Sequence, residues 1–121
     1  MKRIFILDDN EELLDILNRL LSKDYDLCLK SDSDGVVSEI IGFNPDLIIL
    51  DHTIGEVNST EVVRELRQKK TPLSIPVILF SAHIHIKEVA NNIGAQGYIE
   101  KPSEIGHIRS YIRSFFQEPV I

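Results

Sequence analysis

Short apolar runs alternate along the chain with stretches in which apolar residues recur at helical spacing. The run Ile4–Leu7 stops at Asp8 and Asp9, as expected where a strand enters a turn, and leucines then recur every few positions from Glu11 onward. The run Leu47–Leu50 is apolar throughout, which is typical of a central parallel strand with both faces buried. The pattern therefore predicts that strands and helices alternate.

The complete pattern predicts five strands and five helices. The predicted strands are Ile4–Leu7, Tyr25–Lys30, Leu47–Leu50, Pro76–Ser81 and Gly97–Glu100. The first predicted helix begins at Glu11, and the others cover Asp34–Phe43, Thr60–Lys70, Ile86–Ile93 and Ser103–Gln117. Because strand–helix–strand connections are short and right-handed, this order predicts an α/β fold with a parallel sheet and helices on both faces. We expect a single domain over residues 1–121, with Val36, Val37, Ile40 and Ile41 facing inward from the second helix.

The composition excludes several classes of protein. The formal net charge is −6, and basic residues do not cluster beyond short pairs such as Lys69–Lys70, which argues against direct binding of nucleic acid. No apolar run approaches the ~20 residues that span a bilayer, and the apolar run after the basic N-terminus is too short for a secretory signal. The single Cys28 cannot form an internal disulfide, in agreement with a reducing compartment. We therefore predict a cytoplasmic protein without membrane contact.

Polar and charged residues follow the predicted strands, at the edge where open α/β sheets bind ligands. Asp8 and Asp9 follow the first strand, and Asp51 follows the third. Ser81 ends the fourth strand, and Lys101 follows the fifth. Taken singly, each has an ordinary structural explanation as a turn residue, a helix cap, a strand end or a surface lysine. Unrelated turn residues have no reason to gather at strand ends of one sheet, so together they predict a functional site.

These residues give the chain a resemblance, over essentially its whole length, to the receiver domain of bacterial two-component response regulators. The matching residues are Asp8, Asp9, Asp51 in Leu-Ile-Ile-Leu-Asp, Ser81-Ala82, and Tyr98 to Pro102. The resemblance implies a flavodoxin-like, doubly wound (βα)5 fold with strand order 2-1-3-4-5. It also implies that Asp51 accepts a phosphoryl group from a sensor histidine kinase or a histidine phosphotransfer protein. Such a domain is not an enzyme toward a separate substrate, since it catalyses only its own phosphorylation and autodephosphorylation.

The resemblance also implies a bound Mg²⁺. Its ligands would be Asp9, Asp51 and the backbone carbonyl of Thr53, with Asp8 holding a metal-bound water. Hard oxygen ligands of this kind suit Mg²⁺, which usually takes one or two carboxylates together with waters and phosphate. Lys101 is expected to pair with Asp51 at rest and with a phosphate oxygen after phosphorylation.

Three further residues are assigned by the resemblance. Ser81 and Tyr98 would be the switch residues, although Tyr98 fits equally well as an aromatic residue of an amphipathic edge strand. The Lys101–Pro102 peptide would be cis, a conformation that is inexpensive only before proline. The phosphorylation signal is expected on the surface of the fourth helix, fifth strand and fifth helix, through which the domain would form a homodimer or contact a partner.

Several features depart from the family's pattern. The loop after Asp51 carries Gly55 and Ser59 where a proline and a glycine are usual, and the segment from the fourth to the fifth strand is shorter than usual. His83, shortly after Ser81, lies beside the path expected for the water that hydrolyses the phosphoryl group.

Two alternatives concern function. Histidines at positions 52, 83 and 85 suggest a structural zinc site, but their spacing and the lack of further Cys or His ligands argue against such a site. The chain can instead be a pseudo-receiver, a protein-interaction module that works without phosphorylation, and reactivity with a phosphodonor separates the two functions. The sequence is compatible both with a stand-alone regulator and with a receiver joined to an effector domain.

Overall fold

The computed structural model describes residues 1–54, 57–69, 75–101 and 105–117. The strands of the main sheet are β1 (Arg3–Leu7), β2 (Asp26–Lys30), β3 (Leu47–Leu50), β4 (Val77–Ser81) and β5 (Gly97–Glu100). The helices are α1 (Glu11–Leu21), α2 (Val36–Phe43), α3 (Ser59–Gln68), α4 (Ile86–Ile93) and α5 (Ile105–Phe115). Strands and helices alternate in the predicted order.

Parallel strands form the main sheet in the order β2-β1-β3-β4-β5, which confirms the predicted topology. The more polar strand β2 lies at one edge of the sheet and pairs with β1. Strands β1 and β3 pair at the centre, from Ile4 opposite Leu47 to Leu7 opposite Leu50. All of β3 is buried, as its uninterrupted apolar run predicts.

Helices cover both faces of the sheet. Successive strand residues point to opposite sides, so alternate positions contribute to two separate apolar layers. Phe5 and Ile48 belong to the layer that packs with α2, α3 and α4, whereas Ile4 and Ile49 belong to the layer that packs with α1 and α5. The doubly wound arrangement is therefore confirmed.

Two local predictions are wrong. The loop after β3 contains a short antiparallel hairpin, Thr53–Ile54 with Val57–Asn58, where only a polar loop was predicted. Ile41 is 37% exposed although it was expected to face inward. At about 100° per residue, Ile41 lies roughly 90° around the helix from the centre of the buried set Val36, Val37 and Ile40, at the margin of the apolar stripe.

Helices α1 and α3 begin with side-chain caps. The Asn10 side chain accepts a hydrogen bond from the N–H of Leu13 (3.1 Å), and the Asn58 side chain accepts one from Glu61 (3.3 Å). Such caps satisfy backbone N–H groups that have no partner within the helix, so the starts of α1 and α3 are fixed. No helix in the described ranges is long and apolar enough to cross a membrane.

Candidate functional site

Backbone hydrogen bonds extend the sheet beyond the strand ends and bring the predicted residues to its carboxyl edge. The N–H of Asp51 donates to the carbonyl of Leu7 (2.9 Å), and Asp8 directly follows Leu7. On the other side, the N–H of Lys101 donates to the carbonyl of Ser81 (2.9 Å). The structure thus brings residues from four strand ends together, as the order of the strands predicts.

Three carboxylates form an acidic cluster at this edge. Asp8, Asp9 and Asp51 each offer an oxygen atom, and these oxygens all lie within 4.8 Å of one another. Asp8 is 1% exposed and Asp51 is also buried, whereas Asp9 is exposed to solvent. Within the part of the chain that the structure describes, this is the one group of three or more potential metal ligands so arranged. The three histidines noted above do not form such a group.

Lys101 supplies positive charge to the cluster. Its Nζ donates a hydrogen bond to Asp8 Oδ2 (2.7 Å) and lies 3.6 Å from Asp51 Oδ2. The second oxygen of Asp8 accepts the N–H of Asn10 (2.9 Å). The expected ion pair with Asp51 is therefore present, but the shorter contact joins Lys101 to Asp8, and both Asp8 oxygens accept hydrogen bonds.

The site fits a hard divalent cation. Three carboxylates face one ammonium group, and repulsion between like charges in a partly buried cluster favours the binding of a cation. Carboxylate oxygens are ligands that Mg²⁺ and similar ions prefer. Thr53, whose carbonyl the resemblance adds to the ligand set, lies in the hairpin directly after this cluster and pairs with Asn58.

Ser81 is held at rest by the loop that follows it. The hydroxyl is buried, and its oxygen accepts the N–H of His83 (3.1 Å). This local bond ties the side chain to the first residues between β4 and α4. Any movement of the Ser81 hydroxyl toward a ligand must therefore break a contact with this loop.

Tyr98 lies on the edge strand β5. It is partly buried and packs against the apolar layer beneath α2, α3 and α4. On the opposite face, burial raises the pKa of the Tyr111 hydroxyl of α5, and a hydrogen bond with the backbone of Tyr98 partly opposes that shift. The Tyr111 hydroxyl occupies the space that a side chain at Gly97 would need, so α5 packs closely on β5.

Two residues that the sequence did not mark as functional adjoin the site. His52 directly follows Asp51, and its Nδ1 lies 2.7 Å from the hydroxyl oxygen of Ser59, which is fully buried at the start of α3. The ring of His52 meets that of His83 edge to face, with centroids 5.1 Å apart. Burial, and then the nearby His83, lowers the pKa of His52. The signals in the sequence were the departure of Ser59 from the family's pattern and the place of His52 among the three histidines considered for zinc.

Two predicted features lie outside the described residues. Pro102, with the proposed cis peptide, follows Lys101 in the sequence, and Gly55 lies in the sequence between Ile54 and Val57. Both stay predictions.

Comparison with known proteins agrees with the resemblance. The family model of the response regulator receiver domain matches residues 4–113. Over 99% of its length the chain is 27% identical to the alkaline phosphatase synthesis transcriptional regulatory protein PhoP of Bacillus subtilis, of which it covers 50%. Over 94% of its length it is 31% identical to the response regulator ArlR of Staphylococcus haemolyticus, of which it covers 52%. The chain thus spans about half the length of these curated relatives.

A solved structure extends the comparison to three dimensions. The chain is similar to the N-terminal domain of the nisin resistance regulator NsrR, a lantibiotic response regulator, with a TM-score of 0.84 and 29% sequence identity. The similarity covers 94% of this chain and 97% of that domain. The two proteins therefore share the fold over nearly their whole length.

Proposed function

The chain belongs to the response regulator receiver domain family, the phosphoacceptor domains of two-component signalling, and we propose that its phosphoacceptor is Asp51. The observation that carries this proposal is the meeting of Asp8, Asp9 and Asp51 with the ammonium of Lys101 at one edge of the sheet. The proposed donor is a sensor histidine kinase or a histidine phosphotransfer protein. A pseudo-receiver has no need of these charged residues, so their presence argues against that alternative.

Asp51 has the chemistry of a nucleophile toward phosphorus. An aspartate is ionised at neutral pH and needs no general base. Its carboxylate oxygen forms a bond to phosphorus while the bond between phosphorus and the nitrogen of the donor histidine breaks. Repulsion between the carboxylate and the phosphoryl oxygens is the barrier that the site must lower. Lys101, 3.6 Å from Asp51, is placed to neutralise part of that charge.

Magnesium is the proposed cofactor of this reaction. Asp9 and Asp51, with the backbone carbonyl of Thr53, would hold the ion. Both oxygens of Asp8 already accept hydrogen bonds, which supports a place for Asp8 beside the direct ligands, where it would hold a metal-bound water. When bound, the ion neutralises negative charge on the carboxylates and the phosphoryl oxygens.

Ser81 and Lys101 are proposed to detect the phosphoryl group. The Ser81 hydroxyl would leave the N–H of His83 and donate to a phosphoryl oxygen, while Lys101 would exchange Asp8 for another of these oxygens. Tyr98 is the aromatic residue proposed to move inward as Ser81 leaves its place. The surface formed by α4, β5 and α5 would then change and control a homodimer or a partner.

The proposal extends to the setting of the domain. Residues 1–121 would form a single cytoplasmic receiver domain that binds neither nucleic acid nor membrane directly. It would catalyse only its own phosphorylation and autodephosphorylation. Because the relatives are about twice as long, we propose that the signal controls either a separate partner or an effector domain like that of a transcriptional regulatory protein.

A small phosphodonor tests the proposed function. Acetyl phosphate with Mg²⁺ should add one phosphoryl group, which the mass of the intact protein reveals. Asp51→Asn should abolish the addition, whereas Asp24→Asn, at the opposite end of the sheet, should leave it unchanged. Equal labelling of wild type and Asp51→Asn contradicts the assignment.

A further inference from the structure

The side chain of His52 is fixed between two loops. Its Nδ1 contacts the Ser59 hydroxyl oxygen at 2.7 Å, and its carbonyl accepts the N–H of Ser59 at 2.7 Å. These two contacts close a ring between the residue after Asp51 and the first residue of α3. Ser59 is 0% exposed, so its hydroxyl is held in one place by the surrounding protein. The orientation of the His52 imidazole is therefore set by the start of α3.

His83 is fixed in turn by the loop between β4 and α4. Its N–H donates to the Ser81 hydroxyl oxygen (3.1 Å), and its Nδ1 accepts the N–H of His85 (3.1 Å). Because Nδ1 is an acceptor, the neutral ring carries its proton on Nε2. The position of the His83 ring is thus tied to the Ser81 hydroxyl and to the residue that precedes α4.

The two fixed rings lie against each other. The His52 and His83 centroids lie 5.1 Å apart with an angle of 80° between the ring planes, the edge-to-face arrangement that aromatic pairs favour. A continuous series of contacts therefore runs from Ser81, through the backbone and ring of His83, to the ring of His52 and the hydroxyl of Ser59. It joins the loop that follows the switch serine to the start of α3.

We infer that Ser59 and His83 are positioning residues that hold His52 between the two loops, so that movement of Ser81 reaches the start of α3. This inference rests on the proposed function in one respect: the phosphoryl group on Asp51 is what moves Ser81. When the Ser81 hydroxyl turns away, the His83 N–H loses its acceptor and the His83 ring shifts. His52 is bound to Ser59 and follows that shift, so the response includes α3 in addition to the surface of α4, β5 and α5.

The contact series that links Ser59 to His83 can be tested first without metal or phosphodonor. Substitutions at residues that share a partner are not additive, whereas independent sites are. We expect Ser59→Ala and His83→Ala to be non-additive in urea unfolding, each costing less in the presence of the other than alone. Ser59→Ala with Ile84→Ala is the matched control, because Ile84 lies beside His83 and is 88% exposed; this pair should be additive. Additive effects of Ser59→Ala and His83→Ala overturn the inference.

The response itself is tested by amide NMR with Mg²⁺ and beryllofluoride, which mimics an acyl phosphate. In wild type we expect chemical-shift changes at residues 59–63 as well as at Ser81 and Lys101. Ser59→Ala should lose the changes within residues 60–63 and keep those at Ser81 and Lys101. His83→Phe retains an aromatic ring and should therefore keep more of the changes within residues 60–63 than His83→Ala does.

If Ser59→Ala retains the wild-type changes in α3, the inference is wrong although the proposed function stands. If beryllofluoride moves neither Ser81 nor Lys101 in wild type, the proposed function fails, and the unfolding experiment still decides the linkage.

Discussion

The two ends of the sheet use charge in opposite ways. At the amino end, Asp24 lies 3.0 Å from Arg109 and 3.7 Å from Arg113, so one carboxylate meets two guanidinium groups. At the carboxyl end, Asp8, Asp9 and Asp51 form one cluster, and the ammonium of Lys101 lies 2.7 Å from Asp8 and 3.6 Å from Asp51. The charged residues at the amino end form ordinary surface ion pairs. The carboxyl end has more negative than positive charge, and a bound cation would neutralise part of that excess.

The two ends of the sheet also differ in how deeply their charged side chains are buried. The side chains of Asp24 and Arg109 are 35% and 41% exposed, but that of Asp8 is 2% exposed. An exposed ion pair contributes only about 0–1 kcal/mol, while removing one partner of a buried pair leaves an uncompensated charge and costs about 3–5 kcal/mol. Loss of a charged partner should therefore cost more stability at the carboxyl end than at the amino end.

The largest expected effect comes from removing the single ammonium. Lys101→Met should destabilise the metal-free protein by about 3 kcal/mol, because it leaves Asp8 buried without its cation. Arg109→Met, the matched change at the amino end, should cost less than about 1 kcal/mol. Urea unfolding without Mg²⁺ measures both. Equal losses in the two variants contradict the proposed contrast between the ends.

The next effect concerns the cation. Mg²⁺ at ten times its dissociation constant should stabilise the protein by about 1.4 kcal/mol through mass action, which thermal melts detect. Asp9→Ala should remove most of this gain because it deletes the exposed carboxylate of the cluster, which is one of the proposed ligands. Asp24→Ala should keep it. If Mg²⁺ stabilises the Asp9→Ala variant as much as the wild type, the ion binds outside this cluster.

A smaller effect follows from the lowered pKa of His52. Burial, and then His83, holds the pKa below its ordinary value of 6.5. The unfolded chain therefore takes up a proton at this residue before the folded protein does, so stability is full above about pH 6.5 and falls as the pH drops toward the folded pKa. His52→Asn should flatten this dependence, as seen by urea unfolding above and below pH 6.5. Identical pH profiles for wild type and His52→Asn argue against the lowered pKa.

The fold was predictable because the sequence patterns that specify its strands and helices are long and repeated. The apolar run Leu47–Leu50 identified a strand buried on both faces, and the bounds of α4 and β5 agree with the predicted ones. The hairpin of Thr53–Ile54 and Val57–Asn58 was missed because strands of two residues carry no periodicity. Ile41 was misplaced because a short helix leaves the margin of its apolar stripe ambiguous.

The site was predictable in its members and less so in its contacts. Topology alone brings Asp8, Asp51 and Lys101 to one edge, since each follows a parallel strand. That Lys101 contacts Asp8 more closely than Asp51 depends on side-chain geometry that no spacing encodes. The contact of His52 with Ser59 could not be predicted either. The hairpin between them brings these two residues together, and nothing in the sequence indicated that hairpin.

The most direct test of the central claim is to locate the phosphoryl group itself. Borohydride reduces an aspartyl phosphate to homoserine, so treatment after reaction with acetyl phosphate and Mg²⁺ marks the phosphorylated residue, and peptide mass spectrometry identifies it. The structure predicts homoserine at position 51 and unchanged aspartate at Asp8, Asp9 and Asp24. Homoserine at any of these three positions, or none at 51 in protein that has gained the mass of a phosphoryl group, contradicts the assignment of Asp51.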